Sequence, residues 1–516
     1  MRPMVLRPVA AAATFAALAF SAIALAQTPE TQPPVTKPAT AADPYIWLED
    51  MRGPKAMAWV EKQNARSLAL LKGDARYARY HQDALTIVNA TDRIPYPGLI
   101  GKDVYNFWQD PTNVRGLWRR TTQASYATPN PQWETVLDLD ALSKAENANW
   151  IWKGANCPPP KYTRCMVALS NGGEDATEER EFDLTTKSFV PGGFRLPHSK
   201  QGVDWLDDDT LILNRDWGPG TLTESGYGFI VKTLKRGQPL DAAQEVFRGK
   251  VTDVSVGASV LHDAAGHKVA LIQRATDFFH TETYLLGAHG VVRLALPEKV
   301  TVQGLIDGRL VFSIEQDWSF GGQAYKAGTL LAATPEALSP GGTGGAELLF
   351  EPGPRQSVEQ VAITAGRVVA AVYDNVRGGL MVFQPTAQGW KRTSLPVAAN
   401  SSVGVVAASD LDDTIYYNVE GFLDPARLWQ ANAATGAHRD IKALPARFDA
   451  SKDAVDQYEA TSSDGTKVPY FVVHPKTMKL DGSNPTLLYA YGGFQVSELP
   501  SYSPMVGKLW LEQGGV

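Results

Sequence analysis

The 516-residue sequence predicts a mainly β protein: a seven-bladed β-propeller, preceded by an N-terminal helical segment and followed by the first strands of an incomplete α/β domain. Three observations carry this. Between about Ile94 and Arg447, a turn followed by an apolar strand recurs seven times. The composition, with 45 Gly, 34 Pro, 13 Trp, 18 Tyr and 18 Phe, suits short strands and tight turns rather than a helical bundle. After Asp453 the repeat stops and a different texture begins.

Residues 1–26 read as a secretory signal. Arg2 and Arg7 precede an Ala-rich apolar run from Val9 to Ala26, and Ala24-Leu25-Ala26 offers the small residues that a signal peptidase reads. The alternative is an uncleaved membrane anchor, for which the run is barely long enough. Residues 27–42, rich in Pro, Thr and Ala, form a polar linker. The next unit, residues 43–93, opens with the aromatic stretch Asp43-Pro-Tyr-Ile-Trp-Leu-Glu-Asp50. A helix follows: Pro54 suits its first turn, Met57, Val60, Asn64, Leu68 and Leu71 share one face, and Gly73 stops it. That face needs a partner, and no neighbouring segment offers an evident second helix.

The repeat occupies residues 94–447. Its strands are Gly101-Lys-Asp-Val-Tyr-Asn-Phe107, Tyr162 to Ala168, Asp207 to Leu213, Gly266 to Leu271, Asp307 to Phe312, Gly366 to Ala370 and Asp412 to Tyr417. The starts at 101, 162, 207, 266, 307, 366 and 412 are separated by 61, 45, 59, 41, 59 and 46 residues, the length of one four-stranded unit. Each is followed by a second strand, from Leu117-Trp-Arg-Arg120 in the first unit to Arg427-Leu-Trp-Gln430 in the last. Seven roughly evenly spaced units fit a closed ring better than two packed sandwiches.

Residues 455–516 begin another domain. Thr461 to Lys467 is a turn, Val468 to Val473 a strand, and Asp481-Gly-Ser-Asn-Pro485 a second turn. Then comes Thr486-Leu-Leu-Tyr-Ala-Tyr-Gly-Gly-Phe494, whose Leu487 to Ala490 lack alternation, as in a strand covered on both faces. Leu511 to Val516 reads as the start of a further strand.

The charge balance, 49 Lys plus Arg against 55 Asp plus Glu, leaves −6 and no basic tract, which argues against nucleic acid as a partner. Export makes a disulfide between Cys157 and Cys165 plausible. They flank Pro158-Pro159-Pro160, and closing so short a loop stabilises by about 2 to 3 kcal/mol; two unpaired thiols are the alternative. The eight histidines are scattered, without the spacing that holds zinc, and no cofactor is implied. Asp207-Asp208-Asp209 reads as a hairpin tip rather than a calcium loop. The charge run from Asn171 to Glu181 reads mostly as solvated turns, with the steering of charged peptide termini as the functional alternative. No Gly-x-Ser-x-Gly occurs; Asp253-Val-Ser-Val-Gly257 and Asn400-Ser-Ser-Val-Gly404 each lack the first glycine.

Asp43 to Asp50 with Trp59-Val-Glu-Lys-Gln-Asn64, the seven repeats, Ser463-Asp-Gly-Thr-Lys-Val-Pro469 and Tyr489-Ala-Tyr-Gly-Gly-Phe494 together resemble the prolyl oligopeptidase family of serine peptidases, in particular its secreted bacterial members. Tyr-Gly-Gly-Phe is similar to the proline-specific branch. The resemblance implies that residues 455–516 open an α/β-hydrolase domain on which the 43–93 segment packs, and that short peptides are hydrolysed, after proline, by Ser-His-Asp acyl transfer. It implies that Tyr491 donates its hydroxyl to the oxyanion, a role worth about 3 to 4 kcal/mol, and that Phe494, with Gly492 and Gly493, lines the proline pocket. It also implies a triad lying beyond the equivalent of Val516. The chain is therefore expected to be a fragment, inactive alone, of a protein that is periplasmic or secreted, monomeric and not membrane-inserted after signal cleavage. The competing readings are a secreted non-catalytic propeller used for binding or assembly, and a same-family peptidase with another specificity.

Overall fold

The computed structural model describes residues 43–50, 52–398, 400–492 and 496–516. The signal and linker expectations for residues 1–42 lie outside them.

Seven antiparallel sheets follow one another along the chain, over residues 98–138, 150–199, 202–248, 255–293, 300–350, 356–395 and 402–443, here blades 1 to 7. Six have four strands. In blade 2 the outer edge is split between Ser188–Phe189 and Arg195–Ser199, which both pair with Thr177–Asp183. Each repeat strand expected from the sequence is the second strand of a blade, and each following strand is the third. The second strands read as apolar runs because both of their faces are covered. Thr210–Asn214, for example, is buried at every position, as are the first six residues of Val368–Asp374.

The blades close into a ring. A separate hydrophobic core lies between each consecutive pair, from blades 1 and 2 (Trp118, Cys165 and Phe182 among them) to blades 6 and 7. The seventh core joins blade 7 back to blade 1 through Ile94, Val104, Tyr126, Ala407, Tyr416, Ala426 and Leu428. Seven junctions for seven sheets is a propeller, and two sandwiches are excluded. Every blade is built from one continuous stretch of chain, so no strand crosses the junction between blades 7 and 1.

Strand direction gives the ring two ends. The first strand of each blade starts, and the second ends, on the end where the chain also enters blade 1 and leaves blade 7. The short turns between first and second strands lie on the opposite end. Asp208 and Asp209 sit in one of these, at a hairpin tip.

Four expectations are corrected here. The charge run is only half solvated: Thr177–Asp183 is a strand in which Glu179, Arg180 and Glu181 are buried. Arg180 and Glu181 are tolerated because they are paired, Arg180 with Glu146 at 2.7 Å and Glu178 at 2.6 Å, and Glu181 with Arg236 at 2.6 Å, whereas Glu179 has only the Thr177 hydroxyl at 3.1 Å. The helix α1 (Pro54–Lys72) forms where the sequence places it, with Met57, Trp59, Val60, Leu68 and Leu71 all exposed among the described residues; what is corrected is the expectation that no second helix lies beside it in the chain. A second helix, α2 (Tyr77–Val88), follows it directly.

The stretch Thr486 to Ala490 is the third correction. It is not a buried strand: Leu488 is 92% exposed, and no strand is laddered to it. A strand covered on both faces needs neighbours on each edge, and among the described residues only Val516 supplies backbone bonds. Val516 donates to the Pro485 carbonyl (2.8 Å) and accepts from the Leu487 N–H (2.9 Å), flanking Thr486 in the pattern of two parallel strands. Leu511–Gln513 is a 3₁₀ turn rather than a strand.

Candidate active-site segment

The chain leaves blade 7 through His438–Ala443 and forms a hairpin, Asp453–Thr461 with Lys467–Pro475, around the turn at Ser462 to Thr466. Gly465 adopts the left-handed backbone (φ 86°) that this tight turn requires. The hairpin seats on blade 6. Glu459 pairs with Arg355, Gln457 Oε1 accepts from Arg377 Nε (3.0 Å), and Gln457 Nε2 donates to the Asn375 carbonyl (2.8 Å). Phe471 packs on Phe422 of blade 7, with ring centroids 5.1 Å apart.

The chain returns to the same end of the ring at residues 499–516. Leu499 packs onto the core between blades 6 and 7. The Tyr502 hydroxyl accepts from the Arg447 N–H (2.7 Å), and its ring stacks on Phe448 at 5.2 Å. Helix α3 (Pro504–Leu509) starts with Ser503 capping the Val506 N–H and packs against α2, where Arg79 Nη2 donates to Gln513 Oε1 at 2.9 Å. α3 lies between Thr486 and its parallel-type partner Val516, the place of a crossover helix.

Glu420, at the end of the second strand of blade 7, faces this segment. Burial pushes its carboxyl up to about 7, against the opposing pull of the Tyr502 N–H. Neither Glu420 nor Tyr502 carries a signal in the sequence: each is an ordinary strand-end or loop residue until the fold brings the two together.

Between the hairpin and α3 lies the stretch singled out in the sequence. Tyr491 is 47% exposed, and Gly492 follows it in the left-handed region (φ 82°), a conformation with no cost for glycine. Gly493 and Phe494 lie outside the described residues. Among the described residues, this stretch presents a half-exposed phenol hydroxyl next to a left-handed glycine. Cys157 and Cys165 lie at the other end of the ring, joined by a disulfide. Among the described residues, no group of His, Cys, Asp and Glu could hold a metal ion, and no helix is long and apolar enough to cross a membrane.

A family profile described as prolyl oligopeptidase, N-terminal beta-propeller domain, matches residues 26–443. An uncharacterized peptidase of Sinorhizobium fredii is 44% identical over 92% of this chain and 66% of its own length. One of Rickettsia prowazekii is 30% identical over 91% of this chain and 67% of its own. The chain thus spans about two thirds of the length of these relatives. Among solved structures, a post-proline cleaving enzyme from Rickettsia typhi superposes with a TM-score of 0.84 at 29% identity, over 91% of this chain and 70% of that one. Oligopeptidase B from Leishmania major shares the fold, with a TM-score of 0.67 at 17% identity over 89% of this chain and 64% of that one.

Proposed function

The chain belongs to the prolyl oligopeptidase family, and from that premise we propose that the intact protein is an exported serine peptidase that hydrolyses short peptides after proline. The observation that carries this reading is the setting of Tyr491. It stands half-exposed beside a left-handed glycine, on the stretch between the hairpin and α3, two elements that both seat on one end of a propeller of this family.

In this reading Tyr491 donates its hydroxyl to the oxygen that becomes negative when a serine attacks the scissile carbonyl. A backbone N–H of the glycine turn supplies a second donor, and Phe494 forms a flat apolar wall for the proline ring. Such donors accelerate the reaction because they meet a charge that exists only on the way to the tetrahedral intermediate. The serine, histidine and aspartate are not assigned to any of these 516 residues, so the chain alone is expected to give no turnover. The ring admits short peptides and keeps folded proteins from the site. The 43–93 segment docks on the hydrolase domain through the apolar face of α1. Export is supported by the Ala-rich run ending Ala24-Leu25-Ala26 and by the paired cysteines, and the product works as a monomer.

The test is an assay of the full-length protein with a chromogenic peptide that carries proline before the scissile bond. Turnover is expected, and Tyr491→Phe is expected to lower kcat by about a hundred- to a thousand-fold with little change in KM. No turnover of proline peptides, or a Tyr491→Phe variant as fast as the parent, overturns the reading.

A further inference from the structure

Residues 157–163 form the turn between the first two strands of blade 2, with Cys165 just inside the second strand, on the end of the ring opposite the hairpin and α3. The Cys157–Cys165 disulfide closes the base of this loop, and both cysteines are buried in the core between blades 1 and 2. From that base the loop reaches outward. Lys161 pairs with Asp208 in the matching turn of blade 3. Tyr162 reaches the other way.

Tyr162 has a left-handed backbone (φ 50°), uncommon for a side chain of this size, and its N–H donates to the Pro158 carbonyl at 3.1 Å. Its ring lies over Gly101 in the matching turn of blade 1, where a β-carbon would fall 3.2 Å from Cδ2. Its hydroxyl donates to the carboxylate of Asp410 in the matching turn of blade 7. A residue of blade 2 therefore crosses blade 1 to hold blade 7. Burial and Asp410 both push the phenol pKa up, which keeps it a donor. The receiving turn is itself fixed: Ser409 Oγ accepts the N–H groups of Leu411 and Asp412 (both 3.2 Å), and the Ser409 carbonyl accepts from Ala365 of blade 6 at 3.0 Å.

The junction spanned in this way is the one whose two blades are not consecutive in the chain, and among the described residues its core holds the fewest buried side chains. Each blade is otherwise joined to the next by a peptide connection, whereas blades 7 and 1 meet without one, through side-chain contacts that include Lys442 Nζ donating to the Thr128 carbonyl at 3.1 Å. A charge-assisted hydrogen bond across that seam counts for more than one inside a blade, because parting the seam would open the ring.

We propose that the disulfide-based loop 157–165 is a strap, which holds blade 7 to blade 2 through Tyr162 and Asp410 and so keeps the ring shut at its one non-covalent junction. The strap is independent of any reading of the reaction. Its base is the disulfide, so freeing the two cysteines releases Tyr162 from Asp410. With dithiothreitol as reductant, two electrons and two protons pass to the bond, leaving two cysteine thiols and the cyclic disulfide of the reagent.

The test is hydrogen exchange on the 516-residue chain, read blade by blade. Tyr162→Phe, and separately Asp410→Asn, are expected to speed amide exchange about tenfold in blades 1 and 7 while leaving blades 4 and 5 unchanged, the factor that one hydrogen bond to a charged group contributes. Reduction, or Cys157→Ser with Cys165→Ser, should reproduce the same pattern and add little to Tyr162→Phe. Unchanged exchange in blades 1 and 7 in both single variants overturns the proposal. So does a rise spread evenly over all seven blades, or a loosening on reduction that is confined to blade 2.

Discussion

Phe448, on the chain leaving blade 7, lies against the backbone of Gly507 in α3 so closely that a β-carbon there would fall 2.0 Å from the ring. The ring cannot turn aside, because its other partner is the stacked side chain of Tyr502. Gly507→Ala is therefore expected to lift α3 from its seat, at a cost of about 1 to 3 kcal/mol. Limited proteolysis within residues 476–503 and urea unfolding check this, with the half-exposed Val506→Ala as a control that should change neither. An unshifted Gly507→Ala would mean that α3 does not rest on Phe448.

The pH dependence of stability has an identified source in blade 2. Glu179 is buried with a single side-chain hydrogen bond, from Thr177 Oγ1 at 3.1 Å, and burial pushes its carboxyl up to about 7. The folded state thus binds this proton more tightly than the unfolded chain, whose value is about 4.3. The stabilising contribution is complete below the unfolded value and is lost as pH rises through 7. Between pH 5 and 8 the parent is expected to lose about 2 kcal/mol more than Glu179→Gln. Urea midpoints at the two pH values measure it, and parallel profiles would sink the assignment. Glu420, pushed up for the same reason, adds a contribution of the same sign.

The seat of the hairpin on blade 6 rests on a neutral side chain more than on its ion pair. Arg355 and Glu459 are 47% and 35% exposed, so solvent screens them, and Arg355→Ala is expected to cost no more than about 0.5 kcal/mol. Gln457 both donates to Asn375 and accepts from Arg377; water reaches the exposed Arg377 guanidinium when Gln457 is lost, but the part-buried Asn375 carbonyl is left without its donor. Gln457→Ala is expected to cost about 1 to 2 kcal/mol. Hairpin amides should exchange faster in Gln457→Ala and scarcely change in Arg355→Ala, at low salt and high salt alike.

The blades were legible because their second strands are covered on both faces and their turns need Gly or Asp, so Asp307-Gly-Arg-Leu-Val-Phe312 declares itself locally. What depended on distant partners did not. Glu179 to Glu181 looked solvated because Arg236, which neutralises Glu181, lies 55 residues further on. Leu487-Leu488 has the composition of a buried strand, but burial comes from neighbours that composition does not supply. The helix α2 was hidden by its mixed face, Tyr77-Ala-Arg-Tyr-His-Gln, and by the lack of a side-chain cap. Tyr491 is marked by its motif, whereas Tyr162 lies in a loop whose sequence signal is its cysteines, and its reach to Asp410 depends on a turn 248 residues away.

The exposed face of α1 yields the last prediction. Trp59 packs edge-on against Trp47 at 6.3 Å, and Lys55 lies over the Trp47 ring at 4.4 Å, so the helix and the aromatic stretch before it form one small unit. Beyond that unit, Leu68, Leu70 and Leu71 are 48%, 78% and 60% exposed. Side chains already in water lose no burial when they become polar. Leu68→Glu is therefore expected to leave the urea midpoint of the 516-residue chain unchanged. In the full-length protein, if α1 docks on the proposed hydrolase domain, the same change buries a charge without a partner and should cost about 2 kcal/mol or more. A lowered midpoint in the 516-residue chain would show that this face is already covered. An unchanged full-length protein would remove α1 from the docking interface.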